Sequence, residues 1–438
     1  MPKKLTILVS ACNEAGHLNA VTGETLELKR RGHRVVFILP ETWRGKLARH
    51  GFEEHVYQTE KPASANEHPG EHNAKILFEY KMLGNYTPLE KMQELVKIFD
   101  SEHHLSEIRE NDKAVKVALK KYQPDVIIVD AHSLSPAIYT SGIPWIKSCS
   151  MNPLFEVWDS DLPPGGSGLS QNSDRSKWTE FVSLRKKIFA SPVFSNLLKE
   201  MGYEPYANDI KFPPTEILTV YACPEELNYP QIRQNGWHNL EAFNKVDASG
   251  TVARLEDILP KEFMENNLNG TFSGKYIYFS LGSMASVDVN LMRRMTGVLS
   301  KTPHKYIVSK GPRHDQFELP ANMWGDQYLP QTKIIPIVDL VITHGGNNTV
   351  TETFATGTPM VAMPMFADQF DNAQRLVETG LGVRVMPYDF EDSELIAAVE
   401  KALGDEEIKR RLQVAAKRIQ SEKRHEQLAD KIEQLLAK

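Results

Sequence analysis

Residues 343–352 read THGGNNTVTE, running on from the apolar stretch LVIT (340–343). None of these polar residues packs a core well, and all of them can hold a charged ligand. If a strand ends at Thr343 and a helix opens near 345, the first backbone N–H groups of that helix have no partner within it. The peptide dipoles leave about half a positive charge there. Glycines let an anion approach the backbone, so such a start suits phosphate. His344, Asn348 and Glu352 are spaced i, i+4 and i+8, which puts them roughly on one helix face. His344 and Asn348 sit near the phosphate end, with Glu352 about two turns along. Taken singly, each has a plainer reading: a capped helix for Asn348 and Thr349, a solvated charge for Glu352.

The elements that must position these residues follow from periodicity. LTILVS (5–10) reads as a buried strand, 21–31 as a helix stopped by Gly32, and RVVFIL (34–39) as the next strand. That is a βαβ unit and implies a parallel sheet. DVIIVD (125–130), PWIKS (144–148) and ILTVY (217–221) continue it. Residues 236–262 mix Gly, Asn, Asp and Pro without an apolar period and read as an interdomain linker. The alternation then restarts. Strands are expected at 275–283, 305–309, 340–343, 360–364 and 383–386, and helices at 290–300, 349–357, 370–379, 393–402 and 406–420. The fold class is therefore α/β, with two Rossmann-like halves whose ligands bind outside the carboxyl ends of the strands, in the cleft between them. Residues 60–112 and 150–205 read as long irregular insertions carrying aromatics such as Phe78, Phe155, Trp158 and Trp178, and PPGGSG (163–168) as a mobile loop.

Composition narrows the classes. A chain of 438 residues, 41% hydrophobic and 25% charged, is long enough for two or three domains. A net charge of −6, from 51 basic and 57 acidic residues, argues against a nucleic-acid partner. The amino-terminal apolar stretch is too short for a signal peptide, and no stretch approaches the roughly 20 apolar residues of a spanning helix. Cys12, Cys149 and Cys223 are odd in number and form no CxxC, so free thiols and a cytoplasmic location without membrane attachment are expected. The N-x-S/T triplets at Asn85, Asn269 and Asn347 are then read as chance. The single glycine of NEAGHLN (13–19) makes no G-x-G-x-x-G, which weighs against a nicotinamide oxidoreductase. Asp159 and Asp161 in WDSDLPP follow no strand, and no metal site is expected there.

Several blocks in order, FSLGS (279–283), YLPQ (328–331), ITHGGNNTVTE (342–352) and GTPMVAMPMFADQFDNA (357–373), closely resemble the donor-binding signature of the UDP-glycosyltransferases, glycosyltransferase family 1. The resemblance covers most of the carboxyl half. It implies a GT-B architecture, with an acceptor-binding domain at 1–240, a UDP-sugar-binding domain at 241–422, and a closing helix within 423–438 that returns to the first domain. By matching position it implies that Tyr328 stacks on uracil, where many members have Trp, and that the Leu329 backbone pairs with the uracil edge. Gln331 then lies near the ribose. His344, Gly346, Asn348, Thr349 and Ser283 border the diphosphate, Glu352 takes the ribose hydroxyls, and Asp368 and Gln369 take the sugar. Asn347 stands where plant members commonly carry Trp.

In the same family the histidine of GH is the catalytic base. The role falls on His17, with Asp130 as its partner and His132 as a further candidate for the acceptor pocket. A neutral imidazole can accept a proton from an acceptor hydroxyl, and a carboxylate on its other nitrogen orients it and stabilises the charge formed. The resemblance thus implies a metal-free, cofactor-free, inverting transfer of a hexose, with UDP-glucose the expected donor, to small lipophilic acceptors such as flavonoids, phenols or macrolides, in xenobiotic detoxification. The expected state is a monomer. A UDP-sugar epimerase or a non-catalytic nucleotide-sugar-binding protein is the alternative. The first needs no acceptor pocket, and the second would not retain both His17 and Asp130.

Overall fold

Short runs of Val, Ile, Leu and Phe that are buried on both faces suit a parallel sheet covered by helices on either side. In the computed structural model, which describes residues 3–59, 71–159, 161–215, 217–244, 254–265 and 272–437, two such sheets form. The first holds β1 (Thr6–Ala11), β2 (Arg34–Pro40), β3 (Glu53–Tyr57), β4 (Val126–Asp130), β5 (Trp145–Cys149), β6 (Thr219–Tyr221) and β7 (Trp237–Asn239), in the order 3-2-1-4-5-6-7. The second holds β8 (Tyr276–Ser280), β9 (Lys305–Ser309), β10 (Met323–Asp326), β11 (Leu340–Thr343), β12 (Met360–Ala362) and β13 (Val383–Arg384), in the order 10-9-8-11-12-13. Every strand pairing is parallel.

In each sheet the order reverses beside the first strand, between β1 and β4 and between β8 and β11. A crevice opens at such a reversal because the flanking helices leave on opposite faces. The register brings Ala11 beside Asp130 in one sheet and Ser280 beside Thr343 in the other. The residues just beyond these four strand ends are those the sequence singled out for chemistry.

The helix Arg424–Leu435 lies against the amino-terminal domain. Its Leu428, Ala429 and Ile432 are buried in the core built on β1 and β2. Burying the leucine and isoleucine stabilises that docking by roughly 1.5–3 kcal/mol each. Arg31 ties the same helix through Asp430 at 2.6 Å and Glu433 at 3.2 Å.

Several sequence expectations change. The helix after β1 runs Ala15–Arg30, beginning six residues earlier than read, so His17 lies in its first turn. The helix after β11 is Asn347–Thr356, so His344 precedes it. The described part of the 60–112 insertion is mostly helical, at Glu71–Glu79, Pro88–Phe99 and Glu102–Tyr122. Its signals are local: Thr87 and Glu90 form a capping box around Pro88, and Ser101 caps the next helix. Residues 60–70 lie outside the described residues. The second insertion contains helices Trp178–Phe189 and Pro192–Glu200. The stretch read as a linker begins with strand β7, and 245–253 lie outside the described residues. PPGGSG is buried rather than mobile, because the Gly166 and Gly168 N–H groups donate to Asp371 at 2.5 and 3.0 Å.

Candidate active site

On the amino-terminal face, His17 sits at the third position of its helix and is 8% exposed. Its Nδ1 is 3.1 Å from Asp130 Oδ1, at the end of the adjacent strand β4. Ser150, just past β5, places its Oγ 3.0 Å from the same nitrogen. Nε2 is left facing away from this pair, 3.9 Å from Glu14. Burial pulls the His17 imidazolium down. The Asp130 carboxylate, by charge and hydrogen bond, more than offsets this, and with Glu14 and Asp368 raises the group to about 9. His132 packs edge-on to His17 with ring centroids 5.2 Å apart. Beyond it lies a cavity of about 20 Å³ lined by Phe99, His132, Phe155, Ile188, Phe189 and Phe212. That volume holds about one water, so an organic molecule must part these side chains to enter.

On the facing domain, β11 delivers His344 and the two glycines to the start of helix Asn347–Thr356, with Gly346 as its N-cap. The imidazole lies between two glycines. A Cβ on Gly282 (φ 72°) would meet its ring at 2.7 Å, and one on Gly346 would collide with Nε2. Burial lowers His344 to about 4, so the ring is neutral at physiological pH. Ser283 stands exposed just beyond β8.

Glu352 is buried. Gln331 Nε2 donates to its Oε2 at 2.7 Å and Asn244 Nδ2 to its Oε1 at 2.8 Å. Gln331 also reaches Thr349 Oγ1 at 3.1 Å. The Leu329 carbonyl accepts from Gln331 N–H, and Tyr328 is 61% exposed, with most of its ring in solvent. Asp368 is raised to about 6 by burial, against the Asn152 N–H and the charge of His17, which hold it down. Gln369 turns its Oε1 into its own loop, accepting from Met365 and Phe366 N–H.

The two faces touch through the residues of interest. Asn152 N–H donates to Asp368 Oδ2 at 2.7 Å, and its side chain donates to Asn372 Oδ1 at 2.7 Å. Asn372 in turn donates to the Gly345 carbonyl at 2.9 Å. Asn347 donates to the Ser150 and Ala222 carbonyls, each at 3.0 Å, and Asn348 to the Gly16 carbonyl at 2.8 Å. His17 and Asp368, from opposite domains, are close enough that each charge shifts the other's titration. Sequence reading missed Ser150, Asn152, Asn244, Asp371 and Asn372. Ser150 and Asn152 follow the carboxyl end of a parallel strand, where ligand groups gather, and Asp371 and Asn372 lie inside the quoted ADQFDNA block.

Two parallel-sheet domains that meet at the carboxyl ends of their strands have the GT-B arrangement. Solved structures share the fold. The glycosyltransferase of kitacinnamycin matches with TM-score 0.67 at 19% identity over 99% of this chain and 100% of its own. The spinosyn rhamnosyltransferase complexed with thymidine diphosphate matches with TM-score 0.62 at 15% identity over 95% and 96%. Residues 6–419 match the family described as UDP-glucoronosyl and UDP-glucosyl transferase, and the chain belongs to it. Among relatives, an NDP-glycosyltransferase of Bacillus licheniformis is 24% identical, covering 96% of this chain and 95% of that protein. The demethyllactenocin mycarosyltransferase of Streptomyces fradiae is 24% identical over 91% and 79%. Human UDP-glucuronosyltransferase 1A10 is 27% identical over 53% and 43%. The protein is thus a glycosyltransferase, which transfers the sugar of a nucleotide-sugar donor to an acceptor and releases the nucleotide. No helix among the described residues is long and apolar enough to cross a membrane.

Proposed function

We propose that the protein transfers glucose from UDP-glucose to a hydroxyl group of small lipophilic molecules such as phenols, flavonoids or macrolides, with inversion, in cytoplasmic detoxification. The observation that carries this reading is the His17–Asp130 pair, set at one strand-order reversal and coupled across the cleft to Asp368 at the other. With Nδ1 held by Asp130, Nε2 takes the proton of the acceptor hydroxyl. The oxygen attacks the anomeric carbon from the face opposite UDP, so an α-linked donor gives a β-glycoside. The departing diphosphate meets the N–H groups at the start of helix Asn347–Thr356 and the ring of His344, which supply the stabilisation without a metal ion. Asp368 and Gln369 hold sugar hydroxyls, Glu352 and Gln331 the ribose, and Tyr328 and Leu329 the base. The aromatic lining at Phe99, Phe155, Phe189 and Phe212 suits a flat apolar acceptor. The three free cysteines suit a reducing compartment.

The test is incubation with UDP-glucose and a panel of phenols, flavonols and macrolides, read by mass spectrometry for a hexose adduct. His17→Ala should lose about 10²–10⁴ in rate while still binding UDP. Adducts formed only with UDP-glucuronate or UDP-galactose would replace the donor. Undiminished transfer by the variant would remove His17 from the mechanism.

A further inference from the structure

Three metal-ligating side chains meet at the mouth of the first crevice, and the transfer reaction uses only one of them as a base. Cys12 Sγ, a His17 ring nitrogen and a His132 ring nitrogen all lie within 4.8 Å of one another. Cys12 follows β1, His17 opens the next helix and His132 follows β4, so two strand ends and a helix start fix the cluster. Asp130 and Ser150 hold His17 Nδ1, which leaves Nε2 as its ligand atom.

We infer that Cys12, His17 and His132 form a site for a zinc ion, and that occupancy shuts off glycosyl transfer by taking the lone pair of the catalytic base. One sulfur and two imidazoles match the borderline-soft ligand set zinc prefers, at about 2.0–2.3 Å per bond. The ligand atoms, within 4.8 Å of one another, must draw in by about 1 Å to reach those bond lengths. Asp130 stands behind His17 as the carboxylate that orients a metal-bound histidine, and this serves a ligand as well as it serves a base. The second oxygen of Asp130 is buried with no hydrogen-bond partner among the described residues. The fourth position is left to water at the open side, where the half-exposed Glu14 lies 3.9 Å from His17 Nε2. On binding, the Cys12 thiol loses its proton to solvent and the sulfur becomes the anionic ligand. The inhibition rests on His17 being the base; the site itself does not.

Cobalt(II), which takes zinc ligand sets, gives a thiolate-to-metal charge-transfer band in the near ultraviolet and needs no turnover to be read. The full-length protein should show this band at one equivalent, and zinc should displace it. Zinc should suppress transfer, and a chelator should restore it. Cys12→Ser should abolish the band, weaken zinc binding by at least about tenfold, and leave a basal rate that zinc no longer suppresses. No cobalt band in the native protein overturns the site, whatever the fate of the acceptor assignment. Equal zinc suppression in Cys12→Ser and the native protein also overturns it. A band with undiminished transfer overturns the inhibition and removes His17 as the base, while the ligand cluster stands.

Discussion

The two domains share a strand order and place their key residues at the same topological point, yet they build their sites differently. The carboxyl-terminal site is the more local, although Ser283, Gln331 and Asn244 reach it from other segments. His344, Gly346, Asn348, Thr349 and Glu352 come from one strand–helix junction, and Asp368 and Gln369 come from the next. The amino-terminal site is assembled from distant segments: His17, Phe99, Asp130, His132, Ser150, Phe155, Phe189 and Phe212 lie on separate strand ends and inserted helices. Backbone N–H groups and a helix dipole suit the diphosphate shared by nucleotide-sugar donors, and they come with any correctly placed helix start. A pocket shaped to a particular acceptor needs side chains from many places. A helix start can recur from one family member to the next, whereas an acceptor pocket must be reassembled for each substrate.

Substitutions can sharpen that contrast. Asp130→Asn should have the largest effect. It removes the main group raising His17, so the rising limb of the kcat/KM profile, expected to climb toward about pH 9 in the native protein, should move to lower pH. The plateau should fall roughly a hundredfold as the charge formed on His17 loses its carboxylate. A plateau drop with no movement of the limb would detach Asp130 from the titration of His17. Next in size, Gly346→Ala forces a methyl into the His344 ring. Displacing one hydrogen-bonding group costs about 1–1.5 kcal/mol, so KM for the UDP-sugar should rise about tenfold with the acceptor KM unchanged. An effect on both would blur the separation of the two sites.

Phe189→Ala opens the aromatic lining, where Phe189 packs on Phe155 and Trp158. The acceptor KM should change by a few-fold, within the roughly 1.5–3 kcal/mol of one phenyl group, and donor binding should not change. The smallest effect lies beneath the crevice. Glu24 is 1% exposed and accepts from Ser148 at 2.6 Å; burial raises it to about 8 despite that bond, with Asp130 adding to the rise. The folded chain therefore holds a proton that the unfolded chain releases near 4.5, and this costs stability progressively as pH rises from there to about 8. Glu24→Gln should match the native Tm near pH 4 and exceed it by a few degrees at pH 8.5. Parallel Tm curves would show that Glu24 ionises without penalty.

Much of this was legible before the fold was known, and the failures have physical causes. The central strands β1, β2, β4, β8, β9 and β11 are buried on both faces and read as apolar runs. The edge strands β3, β7 and β10 were not read: EEHVY carries charge on an edge, WHN is three residues long, and MWGD holds a glycine. The start of the helix at Ala15 was hidden because Glu14 makes no side-chain cap and Gly16 weakens the helical signal of the first turn. The helices at 88–122 were announced by T-P-L-E and by Ser101, signals passed over in favour of the segment's irregular composition.

The chain's own order of residues was enough to specify the parallel sheets, the strand-to-helix junction at THGGNN and the types of group at each strand end, because these depend on local periodicity and short motifs. Only the tertiary structure decided that Ser150 joins Asp130 on His17, that Asn152 caps Asp368, that Asn244 reaches Glu352 and that Gly166 and Gly168 are held by Asp371. Each of those pairs is separated by more than a hundred residues. Hydrogen bonds reach about 3 Å, and nothing in a linear pattern encodes which distant groups the packing of two domains will bring within that range.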